Sequence, residues 1–253
     1  MKHVAYIVIV LLSFVNVEAQ NNTLFNEANT LYNQGKYAEA IDKYMAVLET
    51  DTHSAELYYN LGNAHYKLNN IAPSIYYYEK ALLLNPNDKD IKNNLDYANN
   101  MTIDAIENVP EVGFSKLIKS MTKTFSFDVW AKIAVAFAIV YVVLVLLYYF
   151  SYSSLKKRIT FVTSIICLLF LCISLAFAFN KFELDKKENP AIVFAQESQV
   201  KTEPNLRSEE SFRLHEGTKV QVLDTVNNWK EIKLSDGKTG WIPSEDIKLL
   251  KAF

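Results

Sequence analysis

The chain has 253 residues, enough for one or two domains, and half of them are hydrophobic. Its 26 Lys and Arg against 28 Asp and Glu leave a formal net charge of −2, so no global basic field suits it to nucleic acid. The charge is uneven: residues 20–110 carry 6 Lys against 12 acids, residues 111–189 carry 10 Lys and Arg against 5, and residues 190–253 carry 9 against 10.

The chain begins "MKHVAYIVIVLLSFVNVEAQ". A lysine, an apolar run from Val4 to Val15 and the small-residue end Val17-Glu18-Ala19 read as a secretory signal peptide over residues 1–19. An uncleaved membrane anchor is the alternative, and either one exports the segment beginning at Gln20.

Residues 20–100 are expected to be helical repeats closed by a capping helix. A shift of 34 residues superposes Leu24 on Tyr58, Ala28 on Gly62, Leu31 on His65, Ile41 on Ile75, Tyr44 on Tyr78, Val47 on Ala81 and Leu48 on Leu82. This period, with a small residue early, an aromatic in the second helix and Pro86 near the end, resembles the tetratricopeptide repeat. Residues 55–88 are the better copy and 21–54 the weaker. "DKDIKNNLDYANN" supplies a further first helix, as a terminal cap would. Gly62 and Ala81 are small where two helices cross, so Tyr58 and Tyr78 are expected in the core. The resemblance implies that first helices line a concave groove, at Phe25, Asn29 and Tyr32 in one copy and Tyr59, Asn63 and Tyr66 in the next. Asparagine can both donate to and accept from an extended backbone, and aromatics add area at little entropic cost. These six are expected to bind a protein or peptide, against the plainer reading that they stack on another domain. Related grooves that grip a terminal carboxylate add Lys or Arg around the asparagines, where this chain has Phe25, Asn93 and Tyr97.

Residues 101–128 form a linker containing "GFSKLIKSMTKTF". Phe114, Leu117, Ile118, Met121 and Phe125 share one helical stripe, with Lys116, Lys119 and Lys123 opposite. This split predicts an amphipathic helix on the membrane surface, lysines toward anionic headgroups, or a helix docked on the repeats. Two apolar runs come next, 129–150 and 159–179, each long enough for a hydrocarbon core of about 30 Å. Lys132 in the first can snorkel or act within the membrane. The loop 151–158, with Lys156, Lys157 and Arg158, is expected on the cytoplasmic side. Cys167 and Cys172 point about 140° apart on a helix, so they are read as small apolar side chains, not a disulfide.

After a charged linker at 180–189 the period changes from 3.6 to 2. Val220 and Val222 alternate, and Asp236-Gly237 marks a hairpin turn. "LHEGTKVQVL" and "NNWKEIKLSDGKTGWIPSEDIKLL", with "AIVFAQ" before them, resemble the bacterial SH3-like domain, expected over 190–253. Trp229 and Pro243 match residues with which eukaryotic SH3 domains hold proline-rich helices. "AIVFAQ" replaces the early aromatic motif and Asp246 the late tyrosine, which argues against that recognition. Trp229 is either a surface contact or edge packing.

The histidines at 3, 53, 65 and 215 are scattered, and no phosphate loop, dinucleotide fingerprint or zinc spacing occurs. Neither catalysis, a metal nor a cofactor is expected. The expected fold class is mainly α: a tetratricopeptide-repeat solenoid and two transmembrane helices, then a small all-β SH3-like barrel. The order of parts is similar to that of the BatE family of the Bacteroides aerotolerance operon. That resemblance implies work with membrane-bound von Willebrand factor A-type proteins and a MoxR-type ATPase in envelope and oxidative-stress tolerance. The reading is an adaptor in the bacterial inner membrane with both soluble parts in the periplasm. A peptidoglycan-binding envelope sensor is the alternative.

Overall fold

The computed structural model describes residues 21–106 and 113–251; the signal peptide expected at 1–19 lies outside them. The described residues form two bodies, one made of 21–106 with 189–251 and the other of 113–188.

In the first body, helix α1 covers 21–33, α2 Tyr37–Leu48, α3 Ala55–Lys67, α4 Ile71–Leu84 and α5 Lys89–Asn99. The 34-residue period is written into the helix ends. Ser54 Oγ accepts from Leu57 N at 3.1 Å to start α3, and 34 residues on Asp88 accepts from Asp90 N and Ile91 N to start α5. The first helix of each pair also stops alike. Lys36 N donates to Leu31 O and Asn70 N to His65 O, both at 3.0 Å, after left-handed Gly35 and Asn69. Tyr44, Tyr58, Tyr78, Leu57, Leu61 and Ile75 fill the seams and are essentially inaccessible. Gly62 is small for a reason: a Cβ there would lie 2.6 Å from ring carbons of Tyr78.

The second body holds α6 (Phe114–Lys123), α7 (Phe127–Phe150) and α8 (Ser154–Lys187). Ser126 caps α7 by accepting from Val129 N. Helices α7 and α8 run antiparallel, with ring pairs Phe127–Phe182, Trp130–Phe177, Phe137–Phe170 and Tyr148–Phe161 all within 6 Å. Their 24 and 34 residues are long and apolar enough to cross a membrane. Val135, Ile139, Val142 and Leu146 stand exposed on the outside of α7. Cys167 is buried, donating to Phe137 O at 3.2 Å, while Cys172 is exposed, and both are free.

Two connecting segments differ from expectation. Helix α8 begins at Ser154, so Lys156, Lys157 and Arg158 lie in its first turns and not in an irregular loop. The linker expected over 180–189 is helical to Lys187, because no glycine or proline interrupts it before Pro190 and Lys181 pairs with Asp185 one turn on.

The carboxy-terminal part is a seven-stranded antiparallel sheet: β1 (Pro190–Val193), β2 (Glu197–Lys201), β3 (Glu210–His215), β4 (Lys219–Val226), β5 (Trp229–Lys233), β6 (Thr239–Pro243) and β7 (Ile247–Leu249). Its order is β3-β2-β6-β5-β4-β1-β7. Register shifts at Val200/Lys201 and Val222/Asp224 bend the strands. Val193, Val200, Leu214, Val220, Ile232 and Ile242 fill the interior. Asn227, left-handed at φ +52°, turns β4 into β5, and Asp236 accepts from Lys238 N in the turn between β5 and β6.

The sheet is docked on the repeats through α4 and the segment after α5. Ile192 and Leu250 belong to the same buried cluster as the repeat core. Phe194 meets Tyr76 edge-on at 5.5 Å, and Tyr76 Oη donates to Leu249 O at 3.3 Å. Lys219 pairs with both oxygens of Glu79 at 2.7 Å. The Asp104 carboxylate accepts from His215 N, His215 Nδ1 and Thr218 Oγ1 at 2.6 to 2.7 Å. Burial opposes its ionisation, but bonds from the Thr218 hydroxyl and from the backbone and ring of His215 outweigh burial and hold the carboxyl below its usual range.

Gly217 sits at the centre of this contact at φ +87°, where a Cβ would come within 2.9 to 3.0 Å of Ile75, Thr102 and Ile71. Gly217→Ala is therefore expected to loosen the docking, seen as faster hydrogen exchange in residues 71–80. Gly237→Ala, equally left-handed but in open space, should leave α4 protected.

Candidate functional site

A groove of about 250 Å3 opens on the repeats, lined by Tyr32 from α1, Tyr59, Asn63, Tyr66 and Lys67 from α3, Tyr78 from α4, and Asn94 and Tyr97 from α5. Four of the six residues expected to bind a peptide, Tyr32, Tyr59, Asn63 and Tyr66, come together here. Phe25 and Asn29 do not line it. Phe25 packs on Tyr44 with centroids 5.7 Å apart.

The asparagines have work inside the fold. Asn29 Oδ1 accepts from Tyr44 Oη at 2.6 Å and Asn60 Nδ2 at 3.1 Å. One period later Asn63 Oδ1 accepts from Tyr78 Oη at 2.7 Å and Asn94 Nδ2 at 2.9 Å. Each carbonyl thus ties a first helix to its own second helix and to the next first helix. This corrects the expectation that these carboxamides could meet a peptide backbone in both directions: the oxygen is occupied, and Asn63 keeps only its N–H groups for a ligand. Asn94 was legible in principle, since it lies 34 residues after Asn60 and repeats its bond. Lys67, at the solvent edge, had no such signal.

Burial raises the tyrosine hydroxyls in and behind the groove. Tyr44, Tyr58 and Tyr77 are pushed up to about 12, and Tyr32 and Tyr78 move the same way. All of these hydroxyls stay protonated at neutral pH and able to donate. Behind the groove His65 stacks on Tyr77, ring centroids 5.4 Å apart and planes within 9°. Burial, with Lys248 adding repulsion, lowers its pKa to about 4, so its ring is neutral.

On the sheet, Trp229 is half-buried and pairs across β5 and β6 with Pro243. With Leu206, Asn228, Ser244 and Glu245 the two line a pocket of about 400 Å3, and Ser244 Oγ is buried without a hydrogen-bond partner among the described residues. A larger cavity of about 670 Å3 lies where residues 99–106 meet the sheet, but Asp104, its one carboxylate, already holds three donors. On α6, Leu117, Ile118 and Met121 are exposed, as is Lys116. Lys119 is half-buried, and Lys123 lies 3.5 Å from Glu188. Among the described residues no three His, Cys, Asp or Glu side chains converge as a metal site would need.

Residues 28–69 match the TPR repeat family, residues 55–88 the tetratricopeptide repeat, and residues 198–248 the bacterial SH3 domain. The chain carries tetratricopeptide repeats and a bacterial SH3 domain. No curated protein matches the chain. Both module types typically bind other molecules and do not catalyse.

His65 makes stability depend on pH with a definite sign. An unfolded histidine takes up its proton near pH 6.5, whereas the folded one resists until about pH 4. Stability is therefore full above pH 6.5 and falls as pH drops through that window, by on the order of 3 kcal/mol down to pH 4. In detergent-solubilised protein the urea midpoint should fall between pH 7 and pH 5, and His65→Phe, which retains the stack, should flatten that decline.

Proposed function

We propose that this protein is a non-enzymatic adaptor, anchored in the bacterial inner membrane by α7 and α8, that presents the repeat groove and the SH3 domain together in the periplasm. One observation carries the reading. Segments before α6 and after α8 fold into a single body, bound by Asp104 to His215 and Thr218 and by Glu79 to Lys219. A chain that builds one body from both sides of a membrane hairpin must return to the side it left, and two crossings do so. The basic first turns of α8 favour the cytoplasm for the short connector, which leaves the body outside.

Groove and docking surface use different residues, so the adaptor is read as holding a peptide at the groove while the SH3 domain stays fixed behind α4. Fixing two recognition modules to one membrane raises their effective concentration for a shared partner. The resemblance to BatE proteins supports von Willebrand factor A-type proteins and a MoxR-type ATPase as the system served, in aerotolerance or envelope stress. The Trp229 pocket, with a Ser244 hydroxyl that has no partner among the described residues, supports a second reading in which the SH3 domain binds peptidoglycan and the protein senses the envelope. Retention on purified sacculi, lost in Trp229→Ala, would favour that reading over the adaptor.

Orientation is open to direct test. Protease added to intact spheroplasts should degrade the segments 21–106 and 190–251, while a tag beside Lys157 should be reached only after the membrane is opened. The opposite pattern overturns the proposal. The helix α6 is read as lying on the membrane surface, held by Lys116, Lys119 and Lys123. A peptide of residues 105–128 should bind anionic vesicles, and changing the three lysines to glutamate should abolish binding.

A further inference from the structure

We infer that the end of the α7–α8 hairpin binds anionic phospholipid headgroups through Lys156, Lys157 and Arg158, with aromatic support from the end of α7. This rests on reading both helices as membrane-crossing, and the evidence is a charge that nothing inside the protein answers. No Asp or Glu occurs in the sequence between Asp128 and Glu183. Lys156, Lys157 and Arg158 are exposed, and among the described residues their side chains form no ion pair. Lys157 Nζ lies 5.8 Å from the centre of the Tyr148 ring, a favourable contact that leaves its charge uncompensated. Nor do the cations serve the helix, because positive charge in a first turn opposes its dipole.

Position decides what answers them. The apolar runs stop at Phe150 and resume at Ile159, so the cations stand at the level where acyl chains give way to headgroups. Tyr149 is 74% exposed and Tyr152 fully so. A phenol suits that level, with its ring at the apolar edge and its hydroxyl among polar groups. A protein partner has little to grip, since only 151–153 lie outside both helices and a stable interface takes about 800 Å2 from each side. Lys157 is turned toward α7, so Lys156 and Arg158 lie about 100° to either side of it. The cations therefore fan around α8 and meet separate headgroups, not one ion at a centre. Arg158 can fork onto two phosphate oxygens, a geometry that an ammonium lacks.

The test uses the purified full chain in a neutral detergent, with phosphatidylglycerol and phosphatidylcholine offered in equal amounts and bound lipid counted by native mass spectrometry. The chain should retain phosphatidylglycerol preferentially, and added salt should reduce the preference. Each basic residue near an anionic headgroup contributes about fivefold. Lys156→Gln/Lys157→Gln/Arg158→Gln, at exposed positions, should therefore cut the preference about tenfold or more, while Lys156→Arg/Lys157→Arg should keep it. The same drop should appear in a chain whose Lys116, Lys119 and Lys123 are already changed to Gln, which separates this site from α6. Detergent has no sides, so cations that only orient the chain would leave the preference unmoved. That result, or a preference abolished by the α6 changes alone, overturns the proposal. Displacement of the lipid by millimolar inorganic phosphate would assign the site to free phosphate and overturn the lipid. A chain that stays dispersed in water without detergent and binds neither lipid overturns the membrane-crossing reading as well.

Discussion

The structure depends on a half-buried carboxylate that accepts three hydrogen bonds. Asp104 lies just beyond α5, and its partners His215 and Thr218 lie in the turn that leads into β4. Removing it would leave a backbone N–H and a hydroxyl without partners in a half-buried site, each costing about 1–3 kcal/mol. Everything else at the contact is arranged around this point. Gly217 lets the turn approach the isoleucines of α4, Lys219 reaches Glu79, and Phe194 meets Tyr76. Neither soluble part is an independent bead on the chain, although about a hundred residues separate the bonded groups.

Helix α4 explains how one repeat can serve two neighbours. Its consecutive tyrosines point in directions about 100° apart, as 3.6 residues per turn requires. Tyr76 meets the SH3 domain, Tyr77 stacks on His65, and Tyr78 donates to Asn63 at the groove. Lys80 lies 5.0 Å from the ring of Tyr58 and 5.5 Å from that of Tyr76, and its burial lowers its pKa. The aromatic density of this region is therefore neither a pure binding surface nor a pure core. It is one wall with different tasks on successive faces.

What could be read from the sequence was whatever repeats or alternates. The 34-residue shift located the seam, and Tyr58 and Tyr78 are 1% exposed. Period-2 valines and an Asp-Gly turn gave the sheet, and long apolar runs gave the two long helices. Charge misled at 180–189, where composition resembles a linker but α8 runs on to Lys187. The occupied asparagine oxygens could not be foreseen from residue type, because an asparagine serving a ligand and one serving the seam look alike until their neighbours are placed. The docking was illegible for a deeper reason. Asp104 and His215, or Glu79 and Lys219, are single polar residues far apart with no period to connect them, and only the folded chain brings them together.

Three tyrosines in a row on α4 also fix a reading frame. Inserting or deleting one residue between Ile75 and Tyr78 would rotate the downstream face by about 100°, taking Tyr78 off Asn63 or Tyr76 off Leu249. The hydroxyls of Tyr76 and Tyr78 and the ring of Tyr77 each have a different partner, so this stretch tolerates no change in length.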